Sequence, residues 1–277
     1  MKKVAFCNQK GGVGKSSGAV NSADALCNDQ VPVLLIDLDP NGSSTRVFYD
    51  PSNYPERENF YTLTDVLQDK HFDPMQAIYP AFIDGIKRND LYIMPSDISL
   101  AVFQSTLSGK MHKEKYLKRQ IDKIEERFTK RNLIILIDLP STLCDLCING
   151  AYAADLLVIL TPYESDGLHG IKDFFNMVSE AKESQSFDYR FLRNRRDERM
   201  TIAINFMKDQ LTDFESKLFD TIIRSDATIN NAKIHNKTVF AYKPDCNAAQ
   251  DYRNFSRELR GMLGEEEIIF GSKKNLK

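Results

Sequence analysis

The sequence predicts an α/β fold, a doubly wound and mostly parallel sheet flanked by helices. Three observations predict it. Short segments are apolar at nearly every position, as strands buried on both faces are. Stretches of helical pattern separate them, which implies right-handed crossovers between parallel strands. A glycine-rich loop, residues 10–16, joins the first strand to the first helix.

Taken in order, the expected strands are Val4–Cys7, Val33–Ile36, Leu91–Met94, Leu133–Ile137 and Leu156–Leu160, with Thr201–Asn205 as a sixth and Thr221–Ile223 as a short seventh. Helical patterns cover Ala19–Cys27, Leu117–Phe128, Gly167–Lys182, Thr212–Phe219 and Ala248–Leu263. Tyr49–Asn59 and the arginine-rich Asp188–Arg199 read as irregular. No linker divides the chain, so one domain over residues 1–277 is expected, with 264–277 as a frayed tail.

The 277 residues are 42% hydrophobic and carry a formal net charge of −2. A core of good size is available, and the molecule as a whole is not a basic nucleic-acid binder. Affinity for DNA would need a local patch or oligomerisation. The five cysteines are an odd number, and Met1-Lys2-Lys3 runs straight into a short strand with no secretory apolar region. The apolar runs are too short to cross a bilayer. The expectation is a cytoplasmic protein with reduced thiols.

The glycine loop carries the chemistry. Between a strand and a helix it aims backbone N–H groups at phosphate, and the helix dipole adds positive charge there. Gly11, Gly12, Val13, Gly14, Lys15, Ser16 and Ser17 form this cradle; Lys15 would reach the β- and γ-phosphates and Ser16 would ligate Mg²⁺. The usual G-x-x-x-x-G-K-[ST] pattern fails at Gln9, and Lys10 opens the loop instead. A cation there suits the charge of a transferring phosphoryl group. Asp138 ends an apolar strand as a Walker B aspartate does, and Asp37 and Asp39 end the second strand. An aspartate at a strand end is more often a turn or cap residue. Here strand C-termini meet at one crevice, so the three acids and the loop converge.

The segment from Asn8 to Ser17, followed by Leu34-Leu35-Ile36-Asp37-Leu38-Asp39-Pro40, resembles the ParA group of deviant-Walker ATPases, which includes MinD. The likeness continues through Asp138-Leu139-Pro140, residues 154–158 and residues 252–259. It implies a dimer sandwiching two ATP molecules, with Lys10 reaching the partner's phosphates, Asp39 positioning the attacking water and Asp37 near the metal. It implies an adenine site framed by Asn205, Phe206, Ile223 and Ser225. It also implies nonspecific DNA binding, here by Arg190, Arg193, Arg195, Arg196, Arg199 and Arg224, with Lys208 and Lys233 as weaker candidates. Finally it implies a ParB-like centromere-binding partner that stimulates hydrolysis, and association with the nucleoid. Asn41, Leu139-Pro140-Ser141 and Ile223 depart from the group's usual residues.

Other readings start from other residues. A cargo-positioning ATPase would share the loop. Cys144 and Cys147 form a C-x-x-C that an iron–sulfur carrier could use, although thiols within an apolar helical pattern are commonly buried. The tail runs Glu265-Glu266-Glu267 into an apolar trio and Gly271, unlike the basic amphipathic helix that anchors MinD, so no membrane partner is expected. The first strand begins so early that no helix-turn-helix domain is expected before it.

Overall fold

The computed structural model describes residues 1–53, 59–128, 132–164, 167–168, 170–184 and 186–264. The expected tail beyond residue 264, and 54–58 of the irregular stretch, lie outside them. The strands are β1 (Lys2–Cys7), β2 (Val33–Asp37), β3 (Tyr79–Ile83), β4 (Ile86–Met94), β5 (Ile134–Asp138), β6 (Leu156–Pro162), β7 (Asp188–Arg196) and β8 (Leu218–Arg224). The helices are α1 (Lys15–Asn28), α2 (Thr45–Phe48), α3 (Leu63–Gln68), α4 (Ser99–Leu107), α5 (Tyr116–Arg127), α6 (Asp145–Ala153), α7 (Ile171–Lys182), α8 (Thr201–Gln210), α9 (Ala227–Ile234), α10 (Val239–Tyr242) and α11 (Asn247–Met262).

The strands form one sheet in the order β3-β4-β2-β5-β1-β6-β7-β8, parallel throughout except for the β3–β4 hairpin. Alternate residues of the central strands serve two cores. Ala5, Leu34, Ile36, Ile135 and Ile137 face one side, where α5, α6 and α7 pack. Val4, Phe6, Leu35, Leu136 and Val158 face the other, where α1 and α11 pack. This is why the central strands are apolar at every position. On the second side Phe255 of α11 meets Phe219 edge-on at 4.9 Å and Phe6 at 6.3 Å. α11 also supplies carboxylates to the edge strand β8: Glu258 accepts from the N–H of Asp220 and Thr221, and Asp251 from that of Arg224.

Four expectations need correction. Thr201–Asn205 is not a strand but the start of α8, a surface helix that buries only Met207. Its place in the sheet belongs to β7, inside the stretch expected to be irregular. Phe191, Leu192 and Asn194 of β7 are buried, while Arg190, Arg193 and Arg196 are half-buried and Arg195 is exposed. Residues 212–217 form a short 3₁₀ turn, and Leu218 already begins β8. The fourth is the β3 strand, which the pattern did not reveal. It is joined to β4 by Asp84-Gly85, both with positive φ (56° and 74°), the two-residue hairpin turn that an Asp-Gly pair favours.

Removing the Phe255 ring should loosen α11 from the sheet. Phe255→Ala is expected to cost about 3–5 kcal/mol of stability, as a fully buried phenylalanine does. The midpoint of urea unfolding reads this directly, and an unchanged midpoint would show that α11 contributes little to the second core.

Candidate active site

β1 ends at Cys7 and the chain turns through the glycine loop into α1. Asn8 shapes the turn: its side chain accepts from the Lys10 N–H (2.7 Å) and donates to the Leu160 carbonyl (2.6 Å). Gly14 has φ 100°, a conformation that side chains rarely adopt, and a Cβ there would lie 2.7 Å from Asn194 Nδ2. As N-cap of α1, Gly14 offers no side-chain acceptor. The first N–H groups of the helix are therefore left for an anion. Lys15 is 5% exposed, and its ammonium lies 2.9 Å from Ser141 Oγ and 3.3 Å from the Lys10 carbonyl. Burial lowers its pKa, and the Asp138 and Asp39 carboxylates work against that. It is a desolvated cation aimed into the loop.

The parallel register brings the acids together. Asp37 and Asp138 are direct neighbours on β2 and β5, and both are fully buried. Asp37 accepts from the Thr45 N–H (2.7 Å) and hydroxyl (2.8 Å). Asp138 Oδ2 accepts from Ser44 Oγ at 2.7 Å, and its Oδ1 is buried with no hydrogen-bond partner. Burial raises both carboxyls above the usual range; repulsion from Asp138 adds to the rise at Asp37, while the Ser16 and Ser44 hydroxyls oppose it at Asp138. An orphaned carboxylate oxygen beside the Ser16 hydroxyl is a hard-oxygen donor set that fits Mg²⁺, which takes few protein ligands and completes its shell with water and phosphate. Ser16 and Asp138 would hold the ion, with Asp37 behind them. Asp39 is 8% exposed, lines the cleft, and accepts from the Asn41 N–H and side-chain amide, both at 2.9 Å.

A cleft of about 820 Å³ opens at this edge of the sheet, lined by Gly12, Gly14, Lys15, Ser16, Ser17 and Asp39 on the phosphate side. Its far wall differs from the expected adenine site. Asn205 and Phe206 lie on α8 and are not among the lining residues, because the strand expected there is a helix. Ile223 is wholly buried in the core. Ser225 does line the cleft, joined by Asn194, Arg195, Arg224, Asp226 and Tyr252. Asn194 donates to the Val13 carbonyl at 2.7 Å. Its signal in the sequence was a lone asparagine within an arginine run, visible only once β7 is placed.

The six arginines do not gather into one free patch. Arg190 pairs with Asp188 (2.8 Å), Arg196 with Glu198 (3.0 Å) and Arg199 with Asp197 (2.6 Å). Arg199 holds the Asp197 carboxyl down at about 2. Arg193 donates to the Phe219 carbonyl. Arg195 and Arg224 stand in the nucleotide cleft; Arg195 donates to the Gly12 carbonyl and Arg224 is paired with Asp251. Lys233 also lines the cleft, and Lys208 lies on α8. Lys10 is bonded to Glu164, just beyond β6, and its side chain is partly exposed. Cys144 caps α6 and Cys147 is buried behind it, with burial pushing the Cys147 thiol up to about 12. That opposes the thiolate a cluster ligand must be. Among the described residues no group of three or more His, Cys, Asp or Glu could hold a metal, and no helix is long and apolar enough to cross a membrane.

A phosphate loop with an extra lysine, a buried loop lysine and paired strand-end aspartates define a P-loop nucleotide hydrolase of the deviant-Walker class. The family described as "AAA domain" matches residues 1–190. The chromosome-partitioning ATPase Soj of Treponema pallidum (strain Nichols) is 27% identical over 268 residues, spanning 95% of this chain and 99% of that protein. The sporulation initiation inhibitor protein Soj of Bacillus subtilis (strain 168) is 27% identical over 261 residues, spanning 93% and 98%. A putative plasmid partition protein from Borrelia burgdorferi B31, solved with AMPPNP, matches with a TM-score of 0.75 at 20% identity, over 94% of this chain and 99% of that one. The chain belongs to the AAA domain family, and the Soj relatives agree with the resemblance to the ParA group carried by its motifs. The loop N–H groups, Lys15, Ser16 and the buried acid pair fit a nucleotide phosphate with Mg²⁺.

A carboxyl whose folded pKa lies above its unfolded value contributes stability at low pH and loses it as pH rises through the folded pKa. The metal-free acid pair therefore works against folding at neutral pH and above. Asp138→Asn is expected to raise the stability of nucleotide-free protein at pH 8 by at least about 1 kcal/mol, the worth of one pKa unit. In the same variant Mg²⁺ should no longer strengthen ATP binding. Thermal melting and nucleotide titration check the two halves, and a variant less stable than wild type at pH 8 would remove the acid pair as the source of strain.

Proposed function

We propose that this chain is a ParA-type partition ATPase. ATP brings two copies together face to face, the dimer binds DNA without sequence preference, and a ParB-like partner at a centromere-like site stimulates hydrolysis and releases it. In this reading the protein is cytoplasmic and associates with the nucleoid in its ATP state. Lys10 acts on the partner's phosphates, Lys15 and the loop N–H groups hold the nucleotide, and Asp39 orients the attacking water.

The observation that carries the reading is the contrast between the two loop lysines. Lys15 is buried and aimed into its own loop, whereas the Lys10 side chain is 31% exposed and bonded to Glu164. A cation presented outward at the mouth of a phosphate site is placed to serve a second copy, as an arginine finger does. The paired arginines favour a state-dependent DNA surface over a constitutive one, since each must exchange a carboxylate for phosphate.

DNA binding should be measured with ATP, with ADP and without nucleotide. Strong binding is expected with ATP alone, falling steeply with salt; equal binding in all three conditions would falsify the switch. Lys10→Ala should lower hydrolysis by about 10³-fold or more, in the range of lost arginine fingers, while keeping part of the nucleotide affinity. Asp39→Ala should accumulate an ATP-bound dimer in light scattering. Normal turnover in that variant would take the water-positioning role from Asp39.

A further inference from the structure

Arg195 was grouped by sequence with the DNA-binding arginines, and its surroundings tell against that. The β7–β8 pairing shifts register between Asn194 and Arg196, and Arg195 at the shift has φ 59°. Successive residues of a regular strand point to opposite faces. Here the bulge turns two successive residues onto the same loop: Asn194 donates to the Val13 carbonyl and Arg195 to the Gly12 carbonyl. Bulges of this kind re-aim side chains beside active sites, and a non-glycine residue at positive φ is strain that persists where the surroundings demand it. The Asn194 side-chain oxygen Oδ1 locks the turn by accepting from the Arg195 backbone N–H at 2.9 Å.

The guanidinium has somewhere to act. It lines the cleft together with Lys15 and Ser16, and its side chain is 50% exposed. Glu164 Oε1 lies 3.7 Å from it, and the same carboxylate binds Lys10. Glu164 thus stations two cations at the mouth of the phosphate loop. A guanidinium carries five N–H donors in a planar fork that suits phosphate oxygens, and one carbonyl and one distant carboxylate do not saturate it.

We propose that Arg195 is a nucleotide-phosphate ligand supplied from within the same subunit, a second cation beside Lys15 that grips the phosphates of bound ATP and ADP. The proposal rests on the ATPase reading of the cleft. It assigns Arg195 to nucleotide affinity in the single subunit, where Lys10 is assigned to the partner's site.

The test compares Arg195→Ala, Arg195→Lys and Arg199→Ala in the full chain. Arg199 is a suitable control because its side chain is 89% exposed and paired with Asp197 alone among the ion pairs described. Dissociation constants for Mg·ATP and Mg·ADP would be measured with a fluorescent nucleotide at protein concentrations below dimerisation. Arg195→Ala is expected to weaken both nucleotides about tenfold, the loss of one charge-assisted hydrogen bond, and Arg195→Lys to recover part of it. Arg199→Ala should change neither. At saturating ATP, Arg195→Ala should still bind DNA as wild type does. Nucleotide constants within twofold of wild type, or a DNA defect at saturating ATP, would overturn the proposal.

Melting of the nucleotide-free protein guards against a purely structural role. A phosphate ligand leaves that temperature unchanged and reduces only the rise produced by ADP. An equal drop with and without nucleotide would make Arg195 a staple for the loop and sink the proposal. Wild-type protein that bound neither nucleotide would instead sink the ATPase reading itself, so the two failures are distinct.

Discussion

The buried pair Asp37 and Asp138 is the constraint around which the site is arranged. Two carboxylates on adjacent strands, both without solvent, repel one another and lose hydration. The chain answers with hydroxyls from Ser44 and Thr45, with the buried ammonium of Lys15 nearby, and with the N–H of Thr45. The arrangement remains incomplete, since Asp138 Oδ1 has no partner. A bound Mg²⁺ would supply the missing positive charge at that oxygen. The segment from Asp37 to Thr45 hangs on these same bonds, so the metal site and the chain that follows β2 share one set of interactions.

Much of this was legible in the sequence, for a physical reason. A phosphate loop is local: the strand, the glycines and the helix start lie within about fifteen residues, and each demands its own residue type. Strand-end aspartates are equally visible because an acid after four apolar residues is conspicuous. The far wall of the cleft was not legible. β7 owes its place to its neighbours β6 and β8 rather than to its own hydrophobic pattern, and its arginines hide the buried Phe191, Leu192 and Asn194. Thr201–Asn205, with its alternating isoleucines, looked more like a strand than the true one did. The adenine assignment to Asn205 and Phe206 inherited that error. The β3–β4 hairpin did leave a sign, the Asp84-Gly85 pair, but no cofactor chemistry drew attention to it.

The arginines show how misleading charge counting can be without partners. Three of them pair with an acid two residues away, at Asp188, Asp197 and Glu198. Such exposed pairs are worth little to stability and are screened by salt. They hold the local field near neutral until a stronger anion competes. The same run of sequence therefore serves two ends at once: a strand and a wall of the cleft beside the phosphate loop.

The carboxylates that α11 lends to β8 bear on how copies of this protein can meet. A strand at the margin of a sheet, with its N–H groups unclaimed, invites another strand to pair with it, and open chains of molecules grow that way. At Asp220, Thr221 and Arg224 those donors are already taken by Glu258 and Asp251. Side-by-side zippering along this margin is thereby blunted, so a second copy meeting this margin finds those donors closed to ladder pairing.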